Sequence, residues 1–383
     1  MKHALAIAAV ATVIALAGCS SKGKTREPAD LQSIDNVKVK ASVVWKRSLG
    51  DSNGLRGGFE IDVQDDAVFA ADADGDVYAL ETETGKTIWQ AETGERVISG
   101  PASSGNLVLV GTRDAEVIAL SRADGSEVWR SQLSSEVLAS PAGDGDTVIA
   151  RTVDGRVFAL SAADGTRLWT FDRTVPSLTL RGLSRPVMVG PAVLVGLDGG
   201  RLVALRVDTG EVLWEQVVAS PTGRSELERL VDVDADPIAV GGGVFALSYG
   251  GELVLIDPRS GDSRWDRSIR SYTGGTVFGT RGLAVSDADG VVWALDAESG
   301  AAVWKQEELQ YRMLSQPAAF AGYIAVADYK GYVHFLSPGD GRIVGRTHAL
   351  SDPVQAAPVV VNDRLYMLDI DGHLVVLKLK EVG

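Results

Sequence analysis

From about Val43 to the C-terminus the chain repeats one unit, and that repeat limits the possible folds more than any other feature. Residues 74–90 (DGDVYALETETGKTIWQ), 114–130 (DAEVIALSRADGSEVWR), 154–170, 199–215 and 289–305 are copies of the unit, and 250–266, 330–346 and the truncated 371–380 bring the count to eight. Trp45, Trp89, Trp129, Trp169, Trp214, Trp265 and Trp304 mark the same position in successive copies, while Gly345 stands in the eighth. A period of about 40 residues in which each copy reads as four short apolar runs separated by Gly and Asp turns is the signature of a β-propeller. Runs such as Leu107-Val108-Leu109-Val110 are apolar at consecutive positions, so both faces of each small sheet must be covered by neighbouring sheets.

The register within the repeat assigns the strands. Pro recurs at Pro101, Pro141, Pro186, Pro237, Pro317 and Pro358. A residue without an N–H is tolerated at a sheet edge, so the Pro-bearing first strand is expected to line the central channel. The last unit stops after three strands, whereas Trp45 in Val43-Val44-Trp45-Lys46 has no unit before it. Pairing the two chain ends completes one blade and removes the last exposed edge, which predicts an all-β, eight-bladed propeller over 43–383. Length varies only between a Trp and the next Pro: 12 residues after Trp89 and Trp129, but 17 after Trp169 and 23 after Trp214. These connections share a face with the turns around Asp72, Asp114, Asp154, Asp287 and Asp371, so that face is expected to be acidic and to carry recognition.

The N-terminus reads as an export signal. Lys2 precedes an apolar run, Ala4 to Ala17, too short to span a bilayer, and the run ends in Leu16-Ala17-Gly18-Cys19. Small residues before a cysteine resemble the lipobox of bacterial lipoproteins, which implies removal of residues 1–18 and acylation of Cys19. Ser20 and Ser21, rather than an Asp, follow the cysteine, and the resemblance then implies the outer membrane, facing the periplasm. Residues 19–42 are polar and lack an apolar period, so they are expected to form a flexible tether.

Other chemistries fit poorly. A net charge of −14, from 37 basic and 51 acidic residues, with no clustered cations, argues against nucleic-acid binding. One Cys and four His offer little for a zinc site, and no metal or cofactor is expected. Gly50-Asp51-Ser52-Asn53-Gly54 matches a nucleophile elbow, but no helix pattern follows it. Asp72, Asp74 and Glu81 around Gly75 mimic part of a calcium loop, yet turn geometry accounts for them. The repeated tryptophans are expected to pack between blades, and Trp293, in the position of Tyr78, Ile118 and Phe158, to be core.

Two loop segments break the repeat: Pro176-Ser177-Leu178-Thr179-Leu180-Arg181-Gly182 and Glu228-Arg229-Leu230-Val231-Asp232-Val233-Asp234. Leu178 and Leu180 are apolar in a surface connection, which suggests local packing or a partner, and Arg181 could bond Asp232 or Asp234 across the loops. Together with the lipobox and the quinoprotein-like repeats ending in Gly-x-x-x-Trp, these loops make the chain resemble, over nearly its whole length, the BamB family. That family comprises lipoprotein subunits of the outer-membrane β-barrel assembly machinery. The resemblance implies a non-enzymatic scaffold that docks on the periplasmic POTRA domains of BamA, within the BAM complex, to assist barrel folding and insertion. Nascent outer-membrane proteins are a further candidate partner. By the same resemblance the BamA-binding residues are Leu178, Leu180, Arg181, Asp232 and Asp234. A quinoprotein dehydrogenase, the enzymatic rival, would need an adjacent cysteine pair that this chain lacks, while a propeller binding a periplasmic solute in its channel stays open.

Overall fold

The computed structural model describes residues 26–50, 59–64, 66–173, 184–221, 225, 230–354 and 356–382. Cys19, Ser52 and the whole segment from Leu178 to Arg181 lie outside them. Eight four-stranded antiparallel sheets form a ring. In chain order, blade 1 spans Asp62–Glu92, blade 2 Val97–Gln132, blade 3 Ala142–Phe171, blade 4 Val187–Val217, blade 5 Ile238–Ser268, blade 6 Gly275–Gln306 and blade 7 Ala318–His348. Blade 8 combines Val359–Val361, Arg364–Leu368 and His373–Glu381 with the N-terminal strand Val39–Ser48. That strand pairs antiparallel with the C-terminal one from Val39 opposite Glu381 to Ser48 opposite His373. It starts at Val39, four residues ahead of the boundary read from the repeat, because Val39 is buried against blade 7.

The middle strands of each blade carry the core. Ala67–Ala71 and Leu107–Thr112 are buried at every position, since each sheet is sandwiched between two neighbours. First strands touch one another around the axis, as in blades 1 and 2 or 6 and 7. Five of the six repeated prolines sit just ahead of a first strand; Pro101 lies inside one, Val97–Ser104, after a cis Gly100–Pro101 bond.

The fourth strand owes its shape to a bulge. Ala79 pairs with Trp89 but Leu80 pairs with Thr87, so Ile88 is skipped, and the same shift recurs in the other seven blades, where in blade 8 it skips Val44. An inserted residue reverses the alternation of faces, so the tryptophan turns inward and the residue before it faces water. Ile88, Leu168 and Val303 are accordingly 50%, 52% and 61% exposed.

Each tryptophan then staples its blade to the next. The Trp89 indole donates to the Arg122 carbonyl (2.9 Å) and its ring lies where a Cβ on Gly125 would sit, 2.6 Å from ring carbon. Trp45, Trp129, Trp169, Trp214, Trp265 and Trp304 repeat the arrangement on Gly85, Gly165, Gly210, Gly261, Gly300 and Gly341. The eighth seam has no staple because the turn it would grip is where the chain is cut between Glu381 and Val39. Gly345 instead makes room for Val39, whose carbonyl oxygen lies 2.6 Å from the position of a Cβ there.

Candidate partner-docking face

Outer-to-inner connections and second-to-third turns meet on one face, as backbone bonds show: Thr93 N–H donates to Gly75 O, Leu133 N–H to Ala115 O and Val218 N–H to Gly200 O. Carboxylates are numerous there, but many serve the turns. Asp72 Oδ1 accepts the N–H groups of Asp74, Gly75 and Asp76 at 3.0–3.1 Å, and Asp72 Oδ2 accepts the Tyr78 hydroxyl. The same device links Asp287 to Trp293 Nε1 (2.8 Å) and Asp328 to His334 Nε2 (3.0 Å). An aspartate followed six residues later by a ring donor is its sequence signal, a spacing the repeat comparison passed over. Asp72, the first carboxylate of the calcium-like run, is thus committed to its own backbone.

Trp293 packs against the core as expected but is not fully covered by it. It is half-buried and lines an open pocket of about 370 Å³ between blades 5 and 6, with Glu252, Arg270 and Asp289. Its ring packs against the apolar cluster of the blade 5 and 6 seam, while its indole N–H donates to Asp287 at the loop-side rim. Elsewhere Asp352, Asp369 and His373 bring ligand atoms within 4.8 Å of one another, but Asp369 Oδ1 already accepts the N–H groups of Asp371 and His373.

At the loop-side end of the axis, Arg185 of the segment ahead of blade 4 bonds Glu60 (3.1 Å), ahead of blade 1, and Asp236 (2.5 Å), ahead of blade 5. Blades 1 and 4 are not neighbours, so this link crosses the interior. Burial pushes the Glu60 carboxyl above its ordinary value, against the pull of Arg185.

The described part of the second irregular loop, from Leu230 onward, is not a solvated excursion. Leu230, Val231 and Val233 are buried in and beside the seam of blades 4 and 5. Asp232 is 2% exposed and its Oδ1 accepts the Gly199 N–H at 2.8 Å. Close by, Arg151 and Asp198 form a buried pair at 2.9 Å. Asp234 Oδ1 is buried without a hydrogen-bond partner among the described residues. Desolvation, then the Asp232 charge, push the Asp234 carboxyl up to about 7. Asp232 and Asp234 therefore sit together; whether Arg181 joins them falls outside the described residues.

The sign of the pH effect follows. A folded value above the unfolded one means that Asp234 stabilises the fold at low pH and that this contribution is lost as pH rises from about 4 to about 7. Asp234→Asn should leave stability nearly unchanged at pH 4 and raise it at pH 8 by on the order of 1–3 kcal/mol, read from denaturant midpoints. An equal effect at both pH values would contradict the buried, like-charged environment.

Such a molecule is a quinoprotein-like eight-bladed propeller with its irregular chemistry gathered on one face. A family model described as "Outer membrane protein assembly factor BamB" matches residues 33–110, 73–306 and 288–381. Relatives of that name from Alkalilimnicola ehrlichii and Pseudomonas aeruginosa are 48% and 49% identical over 377 residues, covering 98% of this chain and 97% and 98% of theirs. The crystal structure of BamB from Moraxella catarrhalis superposes with a TM-score of 0.81 at 29% identity, covering 88% of this chain and all of that one. The chain belongs to the BamB family.

Proposed function

We propose that the chain is a non-catalytic docking subunit of outer-membrane protein assembly, held on the periplasmic side of the outer membrane by acylated Cys19 after removal of residues 1–18. Its partner is the periplasmic POTRA region of BamA, and the contact is built from Leu178, Leu180, Arg181, Asp232 and Asp234. The relatives' shared name supports the assembly role. The observation that carries the contact is Asp234: a buried carboxylate beside Asp232 whose Oδ1 has no hydrogen-bond partner among the described residues, and whose charged form is disfavoured by burial and by Asp232, with the Arg151 charge opposing them. A cation supplied by a partner would relieve it.

Binding to purified BamA periplasmic domains tests the reading. Arg181→Ala should weaken binding by about 2–5 kcal/mol if it meets a carboxylate in a buried pair. A Leu178→Ala/Leu180→Ala chain should bind more weakly without a change in melting temperature, and Asp234→Asn should weaken binding while stabilising the fold. Wild-type affinity in all three would place the interface elsewhere.

A further inference from the structure

The residues read as a free tether include a segment with a receptor built for it. Arg26 Nη1 bonds Asp289 Oδ1 (2.8 Å) in a turn of blade 6, and its guanidinium lies 5.7 Å from the centre of the Tyr311 ring. Ala29 N–H donates to Gln310 O (2.9 Å), and Ala29 O accepts Arg312 Nη1 (2.8 Å). Leu31 packs on the apolar cluster containing Leu309, Leu314 and Val292, and Gln32 O accepts Arg346 Nη1 (3.0 Å).

The two arginines that grip the segment's carbonyls are themselves held. Arg312 is 5% exposed and places Nε and Nη2 on Asp328 Oδ2 at 2.8 and 2.7 Å, which leaves Nη1 for Ala29. Arg346 Nε can only donate, so His334 Nδ1 accepts it (3.1 Å) and the imidazole proton sits on Nε2, facing Asp328. This Asp–His–Arg relay orients Arg346 toward Gln32. Removing the segment would leave a buried guanidinium donor without its acceptor, which is costly.

The placement changes where the chain leaves the propeller. Val39 lies at the face opposite the loops, since it pairs with Glu381 while Ser48 pairs with His373 beside the loop-side turn. From Val39 the chain runs back along the outer strand of blade 7, with Lys38 N–H on Val344 O (2.8 Å), and reaches the loop-bearing face at Gln32 to Arg26. We propose that residues 26–32 are a docked strap that makes a Cys19 anchor depart from the loop-bearing face at blades 6 and 7. This rests on the anchoring reading above. Departing from Val39, twenty residues would let the propeller roam about 70 Å from the anchor; departing from Arg26, seven residues restrict it to about 25 Å, at most about 3.5 Å each. The strap thus holds the blade 6 and 7 side of the docking face toward the membrane.

The test uses the full lipidated chain in phosphatidylethanolamine/phosphatidylglycerol vesicles, with a dye on a cysteine introduced at Met313, beside the strap, or at Asp114, across the ring. A lipid-borne acceptor should quench the Met313→Cys site several-fold more than the Asp114→Cys site, and an Arg26→Glu/Leu31→Asp pair should equalise them. Equal quenching in the parent overturns the proposal. Hydrogen exchange separates the two readings: in a soluble Cys19→Ala chain the Ala29 amide should exchange at least tenfold more slowly than in a free peptide, and the double variant should abolish that protection. Random-coil exchange at Ala29 overturns the strap. Protection in a parent chain that does not associate with vesicles overturns anchoring at Cys19, and with it the positioning role.

Discussion

Deleting residues 19–48 should abolish a cooperative melt or lower the melting temperature by roughly 10 °C or more, whereas deleting 19–38 should shift it by only a few degrees. The shorter deletion removes the strap contacts on blades 6 and 7. The longer one also takes the strand Val39–Ser48, and with it the nine residue pairings to His373–Glu381, the Trp45 staple on Gly85 and the cover over the blade 7 core at Val39. A three-stranded blade 8 would expose a long unpaired edge and open the ring at one seam. Thermal melts and size-exclusion profiles of the two truncations decide it; equal stability would mean that ring closure contributes little.

The second large effect belongs to the seams. Trp129→Ala should cost about 3–5 kcal/mol, because the indole is 7% exposed, fills the space over Gly165 and satisfies the Ala162 carbonyl at 2.8 Å. Gly345→Trp, which restores the repeat in sequence, should destabilise as well, since a Cβ there meets Val39 O at 2.6 Å and Val39 Cγ2 at 2.8 Å. Denaturant midpoints measure both. A stabilising Gly345→Trp would show that the eighth seam is merely unfinished, and not shaped by the passage of the N-terminal strand.

The family was legible from the lipobox and the two loop motifs, not from the repeat period. A closed eight-bladed ring and a single loop-bearing face both follow from spacing in the sequence, because a propeller repeats its chemistry at a fixed period and its departures from that period are visible as insertions. The Trp45 strand without a unit and the C-terminal unit without a fourth strand named each other as partners for the same reason. Periodicity also explains where the reading ran short. Trp293 occupies a core position in the repeat, yet its one N–H is drawn to Asp287, a contact fixed by three-dimensional aim.

Asp232 and Asp234 were legible as candidates, but that one accepts the Gly199 N–H while Oδ1 of the other has no hydrogen-bond partner among the described residues depends on the fold of the blade 4 and 5 seam around them. The strap was hidden most completely. Residues 26–32 show no apolar period because what is recognised is largely their backbone carbonyls, which every sequence possesses, and the arginines that recognise them lie about 280 and 310 residues further along the chain. Composition and period determine which blades form and in what order. The tertiary structure decides which polar groups are left facing a neighbour, because that depends on the desolvated space each side chain meets once the ring has closed.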